Sequence, residues 1–228
     1  MDERIARMHI ATCKLMGVDF LPSTGPTTQT ESTGPTTQTE SSDQQQQLEE
    51  LKQLHDTTCS HCTAGGFTNM VFGCGDANAD LMFIGEAPGH EEDLQGIPFV
   101  GVAGQKLNQI ILAMGIDRED VYIANVLKAR PPNNRTPLSD EVAACGPFLK
   151  QQIDIINPQV IVTLGSPATK YLLETTRGIT TLRGSWHRYN DIPVMPTYHP
   201  AYLLRNYTKE TRQEVWSDMQ KVVAKLQM

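Results

Sequence analysis

Four short apolar runs constrain this chain more than any other feature. They are DLMFIG (residues 80–85), VYIANV (121–126), VIVTL (160–164) and PVMPT (193–197). Each has the length of a buried strand. Helical patterns separate them. GQKLNQIILAMG carries apolar residues at helical spacing, and a second helix is expected from Ser139, as N-cap, to about Ile156. SPATKYLLETT reads as a shorter helix, and a last one runs from about Lys209 to the end. Strands that alternate with helices predict an α/β fold, with a four-stranded, mainly parallel sheet covered on both faces.

In such a sheet, ligands bind beyond the carboxyl ends of the strands. That rule sets Glu86, Asn125, Gly165 and His199 along one rim. Glu86 belongs to GEAPG, a turn with two glycines and no Walker lysine pattern. Phe99, in GIPFVG, offers an aromatic platform for a flat ligand, or else a core ring. The Asn125 amide carries donors and an acceptor, enough to read a nucleobase edge. Lys128, Arg130 and Arg135 surround PPNN, a basic loop suited to a phosphate backbone. His199 opens HPAYLLRN, whose apolar tip and arginine suit the gap left by a displaced base.

The net charge of −7 is unevenly spread: −5 over residues 1–50, −7 over 51–125 and +5 over 126–228. A basic C-terminal half can meet phosphates despite the acidic total. STGPTTQTE occurs at 23–31 and again at 32–40, followed by SSDQQQQ. This polar tract is expected to be a disordered linker, after a short helix near Glu3 to Met16. Residues 1–45 are therefore read as an extension, and 46–228 as the folded domain, opening on a helix from Gln46. No run reaches the length of a membrane span, and the first twenty residues lack a signal peptide's apolar region. A soluble, cytoplasmic monomer is expected. Of five cysteines, Cys59 and Cys62 form a CxxC pair that points to metal, cluster or redox chemistry in that compartment.

GEAPG, GIPFVGVAG, NVLKARPPNNRTP, TLGSPA and HPAYLLRN, in this order, resemble the family 4, iron–sulfur uracil-DNA glycosylases over about residues 50–226. The resemblance implies a three-layer α/β/α sandwich that flips uracil out of DNA and hydrolyses its N-glycosidic bond. It implies that Glu86 and His199 are catalytic, that Phe99 stacks on uracil, and that Asn125 reads its edge beside Gly85. Glu92 falls where an acidic residue crowds the thymine methyl. Tyr202, Leu203, Leu204 and Arg205 fall on the loop that enters the duplex, with Lys128, Arg130 and Arg135 on the DNA backbone.

The resemblance also implies a [4Fe–4S] cluster on four cysteines. Cys59, Cys62 and Cys145 match three of them; Ala129 stands at the fourth position, where alanine ligates nothing. Three possibilities follow: a cluster completed by Cys74, His61 or an external ligand; a three-iron cluster; or a site that is empty or holds zinc. Cys13 is read as a bystander. Two other functions stay in view. One is a non-catalytic DNA-binding or replication-associated module on the same fold. The other is a zinc or redox protein built around CSHC.

Overall fold

A computed structural model describes residues 37–228, with side chains from residue 43 onward. The expected helix near Glu3 to Met16, Cys13 and most of the repeat lie outside the described residues. In chain order, α1 (Thr37–Thr58) and α2 (Ser60–Thr63) precede β1 (Cys74–Gly75) and β2 (Leu81–Gly85). Then come α3 (His90–Gln95), α4 (Val102–Ala113), β3 (Tyr122–Asn125), α5 (Ser139–Ile156) and β4 (Val160–Leu164). The chain continues with α6 (Ser166–Leu172), α7 (Ile179–Leu182), β5 (His187–Tyr189), β6 (Ile192–Thr197), α8 (Pro200–Arg205) and α9 (Lys209–Leu226).

The four expected strands are present and pair in parallel in the order β3-β2-β4-β6. The sheet has six strands rather than four, because β1 and β5 add antiparallel to β3 and β6 as its two edges. Both are two or three residues long, too short to leave a periodic signal and short enough to blunt the edges.

Alternation along each strand explains the three layers. Leu81, Phe83, Val121, Ile123, Val160 and Val162 pack with α4 and α9, through Leu107, Ile111, Val215 and Met219. Met82, Ile84, Tyr122, Ala124 and Ile161 pack on the other face with α5 and α6, through Leu149, Ile153, Ala168 and Leu172. Strands β2, β3 and β4 are therefore buried on both faces, as parallel sheets require.

Helix α1 begins at Thr37 and crosses the boundary expected at 45/46. The polar run SSDQQQQ is helical rather than disordered: Gln44 donates from Nε2 to the carbonyl of Ile155 at 2.9 Å, and Leu48 packs in the core. Ser139 is the first helical residue of α5, one place after the cap position at Leu138. Glu141 reaches back to accept the Leu138 amide at 2.8 Å, the reciprocal half of a capping box.

Candidate active site and metal centre

Strands β2, β3, β4 and β6 end along one rim, and a cavity of about 690 Å³ opens beyond them. Glu86, Glu92, Phe99, Asn125, Arg135, His199, Tyr202 and Arg205 all line it. Residues far apart in sequence meet here because parallel strands deliver every carboxyl end to the same side.

Asn125 closes the floor. It is 1% exposed, and its Oδ1 is buried without a hydrogen-bond partner. An orphaned acceptor of this kind costs about 1–3 kcal/mol unless a ligand satisfies it. Gly85 is its neighbour in register. A Cβ at Gly85 would collide with Asn125 Oδ1 and come within 2.6 Å of the Phe99 ring. The bare backbone therefore sets the spacing between amide and ring.

Phe99 is held in the left-handed region at φ 53°, a conformation that costs a β-carbon residue roughly 1–3 kcal/mol. The following turn is braced by Glu92, whose Oε1 accepts the amides of Val100 and Gly101, each at 2.9 Å. The ring is 5% exposed and lies 5.6 Å from the His199 ring, centroid to centroid.

His199 is the N-cap of α8, and its Nδ1 accepts the Ala201 amide at 3.1 Å. Burial, reinforced by the Arg205 charge, lowers its pKa to about 4. The ring is therefore neutral near pH 7, with its proton on Nε2. Gly165 faces it at φ +87°, and a Cβ there would lie 3.0 Å from His199 Cβ. Glu86 is half-buried, and burial raises its carboxyl above the ordinary range.

Two of the expected DNA contacts, Lys128 and Leu203, need correction. Lys128 is fully buried and cannot meet a phosphate. Its Nζ donates to the Asn125 carbonyl at 2.8 Å and to Gln152 Oε1, and burial lowers its pKa to about 7. Leu203 is also fully buried, in the core under α8; the neighbouring Tyr202 and Leu204 are 36% and 39% exposed. Arg135 makes a bidentate pair with Glu141 at 2.7 and 2.8 Å, which draws that carboxyl down to about 2. Arg130 donates to Asn134 at 2.7 Å and lies 3.7 Å from Asp93.

Of the expected metal ligands, the three matched cysteines meet, and the named candidates for the fourth donor, Cys74 and His61, do not join them. Cys59, Cys62 and Cys145 come together in a buried cluster, with Sγ of Cys145 at 3.4 Å from Cys59 and 3.5 Å from Cys62. The hydrogen bond from Cys62 pulls the Cys145 thiol down to about 4. Ala129 is buried in the same cluster. Cys74 is elsewhere, on edge strand β1, with its Sγ 3.9 Å from Arg118. His61 faces Glu141 at 3.6 Å. The residue missed by sequence reasoning is His55. A ring nitrogen of His55 and the three thiol sulfurs all lie within 4.8 Å of one another. Its signal was present as HxxxCxxC, three donor residues at short spacing; Cys59 stands at the break between α1 and α2.

Three thiols and an imidazole make four donors, enough for one tetrahedral ion or for one ligand on each iron of a four-iron cluster. The donor set therefore fits a metal centre.

The family model described as the uracil DNA glycosylase superfamily matches residues 72–220. The chain is 47% identical to a type-4 uracil-DNA glycosylase of Thermotoga maritima, over 76% of this chain and 93% of that protein. It is 45% identical to the type-4 uracil-DNA glycosylase of Sulfurisphaera tokodaii, over 77% of this chain and 83% of that protein. The protein of the same name from Saccharolobus solfataricus is also 45% identical, over 72% of this chain and 80% of its own length.

Proposed function

The chain belongs to the uracil DNA glycosylase superfamily, and we propose that it is a type-4, monofunctional enzyme that flips uracil out of DNA and hydrolyses its N-glycosidic bond. The observation that carries this reading is the convergence of an unsatisfied Asn125 amide, the Phe99 ring and a neutral His199 on one cavity that Glu86 also lines.

Each group has a chemical task there. The flipped base slides over Phe99, and its edge meets the Asn125 side chain, which relieves the orphaned acceptor. Stacking on Phe99 and the side chains that fill the vacated gap offset the few kcal/mol lost when the base leaves the helix. Cleavage leaves an anionic uracil and a cationic, oxocarbenium-like sugar. His199 offers its Nε2 proton as a hydrogen bond to the developing anion, and its position is set before the reaction begins. A preorganised donor of this kind contributes on the order of 100-fold or more in rate. Glu86 meets the opposite charge: as carboxylate it stabilises the sugar cation and orients water. Glu92, which braces the turn after Phe99, lines the wall that would crowd a 5-methyl group.

Tyr202, Leu204 and Arg205 are the side chains that enter the duplex, on a helix anchored by Leu203. Among the described residues no helix is long and apolar enough to cross a membrane. Kinship with the type-4 enzymes implies a [4Fe–4S] cluster on Cys59, Cys62, Cys145 and a fourth donor. Such a group ties α1 and α2 to α5, and no step of base excision passes through it. The second reading of the centre is a single zinc ion. The 3.4 and 3.5 Å separations between sulfurs favour it, since donors around one tetrahedral ion stand about 3.7 Å apart.

The test is incubation of the purified chain with a uracil-containing oligonucleotide, with and without alkali. Alkali-labile abasic sites and no strand breaks without alkali are expected. Breaks without alkali would contradict a monofunctional enzyme. Absence of abasic sites together with retained DNA binding would favour the non-catalytic module.

A further inference from the structure

The metal centre lacks a thiol at residue 129, and something must occupy that corner if four donors are needed. We propose that His55 is the fourth ligand of this centre, taking the place left without a donor by Ala129.

Four observations carry the inference, and none depends on uracil excision. First, His55 is fully buried, and one of its ring nitrogens shares a 4.8 Å neighbourhood with the three sulfurs. Second, its two nitrogens have unlike surroundings. Nδ1 lies 2.9 Å from Oδ1 of Asp56, while Nε2 is buried without a hydrogen-bond partner. A carboxylate at Nδ1 holds the proton there and leaves the Nε2 lone pair free, the arrangement that orients metal-binding imidazoles. A buried nitrogen with no partner is otherwise a standing cost.

Third, the ring is clamped by two aromatic neighbours. It meets Phe148 edge-on at 4.9 Å and Phe72 at 5.7 Å, so its orientation is fixed by packing. Fourth, Ala129 is fully buried against Cys59, Cys62 and Cys145, so the place beside the three thiols holds a methyl group and no donor.

The inference separates this chain from an all-cysteine site in ligand chemistry. An imidazole is neutral and a thiolate is anionic, so the Cys3His centre carries one negative charge fewer. Asp56 is 28% exposed at its side chain, which connects the ligand to solvent through one hydrogen bond.

The experiment uses the full chain, produced with iron supplementation, purified under nitrogen and labelled with 15N-histidine. Iron, sulfide and zinc are counted per chain. An iron-containing preparation is reduced and examined by pulsed EPR; a zinc-containing one is examined by X-ray absorption at the zinc edge. One centre per chain with an imidazole nitrogen bound to metal is the expected result in either case. His55→Cys should keep the metal and lose the nitrogen signal. His55→Ala should lose most of the metal, and Ala129→Cys in that background should restore it with no nitrogen signal.

A native protein that binds no metal, or a centre with no nitrogen ligand, would overturn the inference. So would His55→Ala with unchanged metal content and spectrum. The native measurement stands even where a variant fails to fold. Uracil release is assayed on the same samples: excision by a chain whose centre lacks nitrogen sinks the His55 assignment and leaves the proposed function standing.

Discussion

His199 accepts the amide of Ala201 at Nδ1, 3.1 Å away, and so presents its one proton on Nε2. The helix that carries the ring also chooses its tautomer. This matters because burial and Arg205 keep the imidazole neutral down to about pH 4, and a neutral ring can donate only from the nitrogen that bears hydrogen.

The pH profile follows from two shifts of opposite sign. Burial raises the Glu86 carboxyl above 4.5, while His199 is lowered to about 4. Excision requires ionised Glu86 and neutral His199. On acidification Glu86 therefore gains its proton first and sets the acid limb of the wild-type rate. In Glu86→Gln the residual rate should stay flat until His199 protonates near pH 4. Single-turnover rates between pH 4 and 8 check this; a limb unchanged in Glu86→Gln would assign it to another group.

Leaving-group chemistry separates the two residues further. His199→Ala should slow uracil release on the order of 100-fold, and less with 5-fluorouracil, whose anion needs less help. Glu86→Gln should be equally impaired with both bases, since the sugar cation still forms. Single-turnover cleavage of both substrates provides the measurement. Rescue of Glu86→Gln alone by the fluorinated base would reverse the assignments.

Gly85→Ala tests the spacing of ring and amide. The added methyl would meet Asn125 Oδ1 and stand 2.6 Å from the Phe99 ring. Overpacking of this kind costs roughly 1–3 kcal/mol, and here it falls on the base pocket. The expected outcome is a folded protein whose kcat/KM for uracil DNA falls about 100-fold, in line with the loss of one well-placed contact to the transition state. Circular dichroism and steady-state kinetics on one preparation would show it; near-normal kcat/KM would mean the base binds elsewhere.

Leu203 and Leu204 are adjacent and should behave as opposites. Leu203 is fully buried, so Leu203→Ala should cost about 2–5 kcal/mol of stability. Leu204 is 39% exposed, and Leu204→Ala should change stability by no more than about 0.5 kcal/mol. Its defect should appear in excision from duplex DNA and be smaller on single strands, where no gap needs filling. Urea denaturation paired with the two substrates distinguishes them. Equal activity of Leu204→Ala on both would remove it from the duplex-entering set.

The sheet was legible because parallel strands buried on both faces are nearly pure apolar runs, and the rim residues followed from the ends of those runs. Glu86, Asn125 and His199 were found in this way, Phe99 from its glycine-flanked loop, and all four meet in the cavity. What escaped has physical causes. Strands of two or three residues carry no period. Helix α8 hides behind a Pro and spans six residues. Lys128 reads as a surface cation in any sequence count, yet its burial is supported by Asn125, Gln152 and the Phe72 ring. His55 was overlooked in favour of Cys74 and His61 as the fourth donor, although its spacing to Cys59 and Cys62 stood in plain view.

The order in which the chain is made gives the strand arrangement a further meaning. Strand β6 is the last to leave the ribosome, and it pairs with β4, between that strand and the edge strand β5. His199 follows it directly. A nascent chain that has already emerged through Glu86, Phe99 and Asn125 still lacks His199, the residue proposed to donate to the leaving base, and helix α9, which closes one face of the core, comes later again. Truncated or stalled products that end before His199 therefore carry Glu86, Phe99 and Asn125 without the proposed donor.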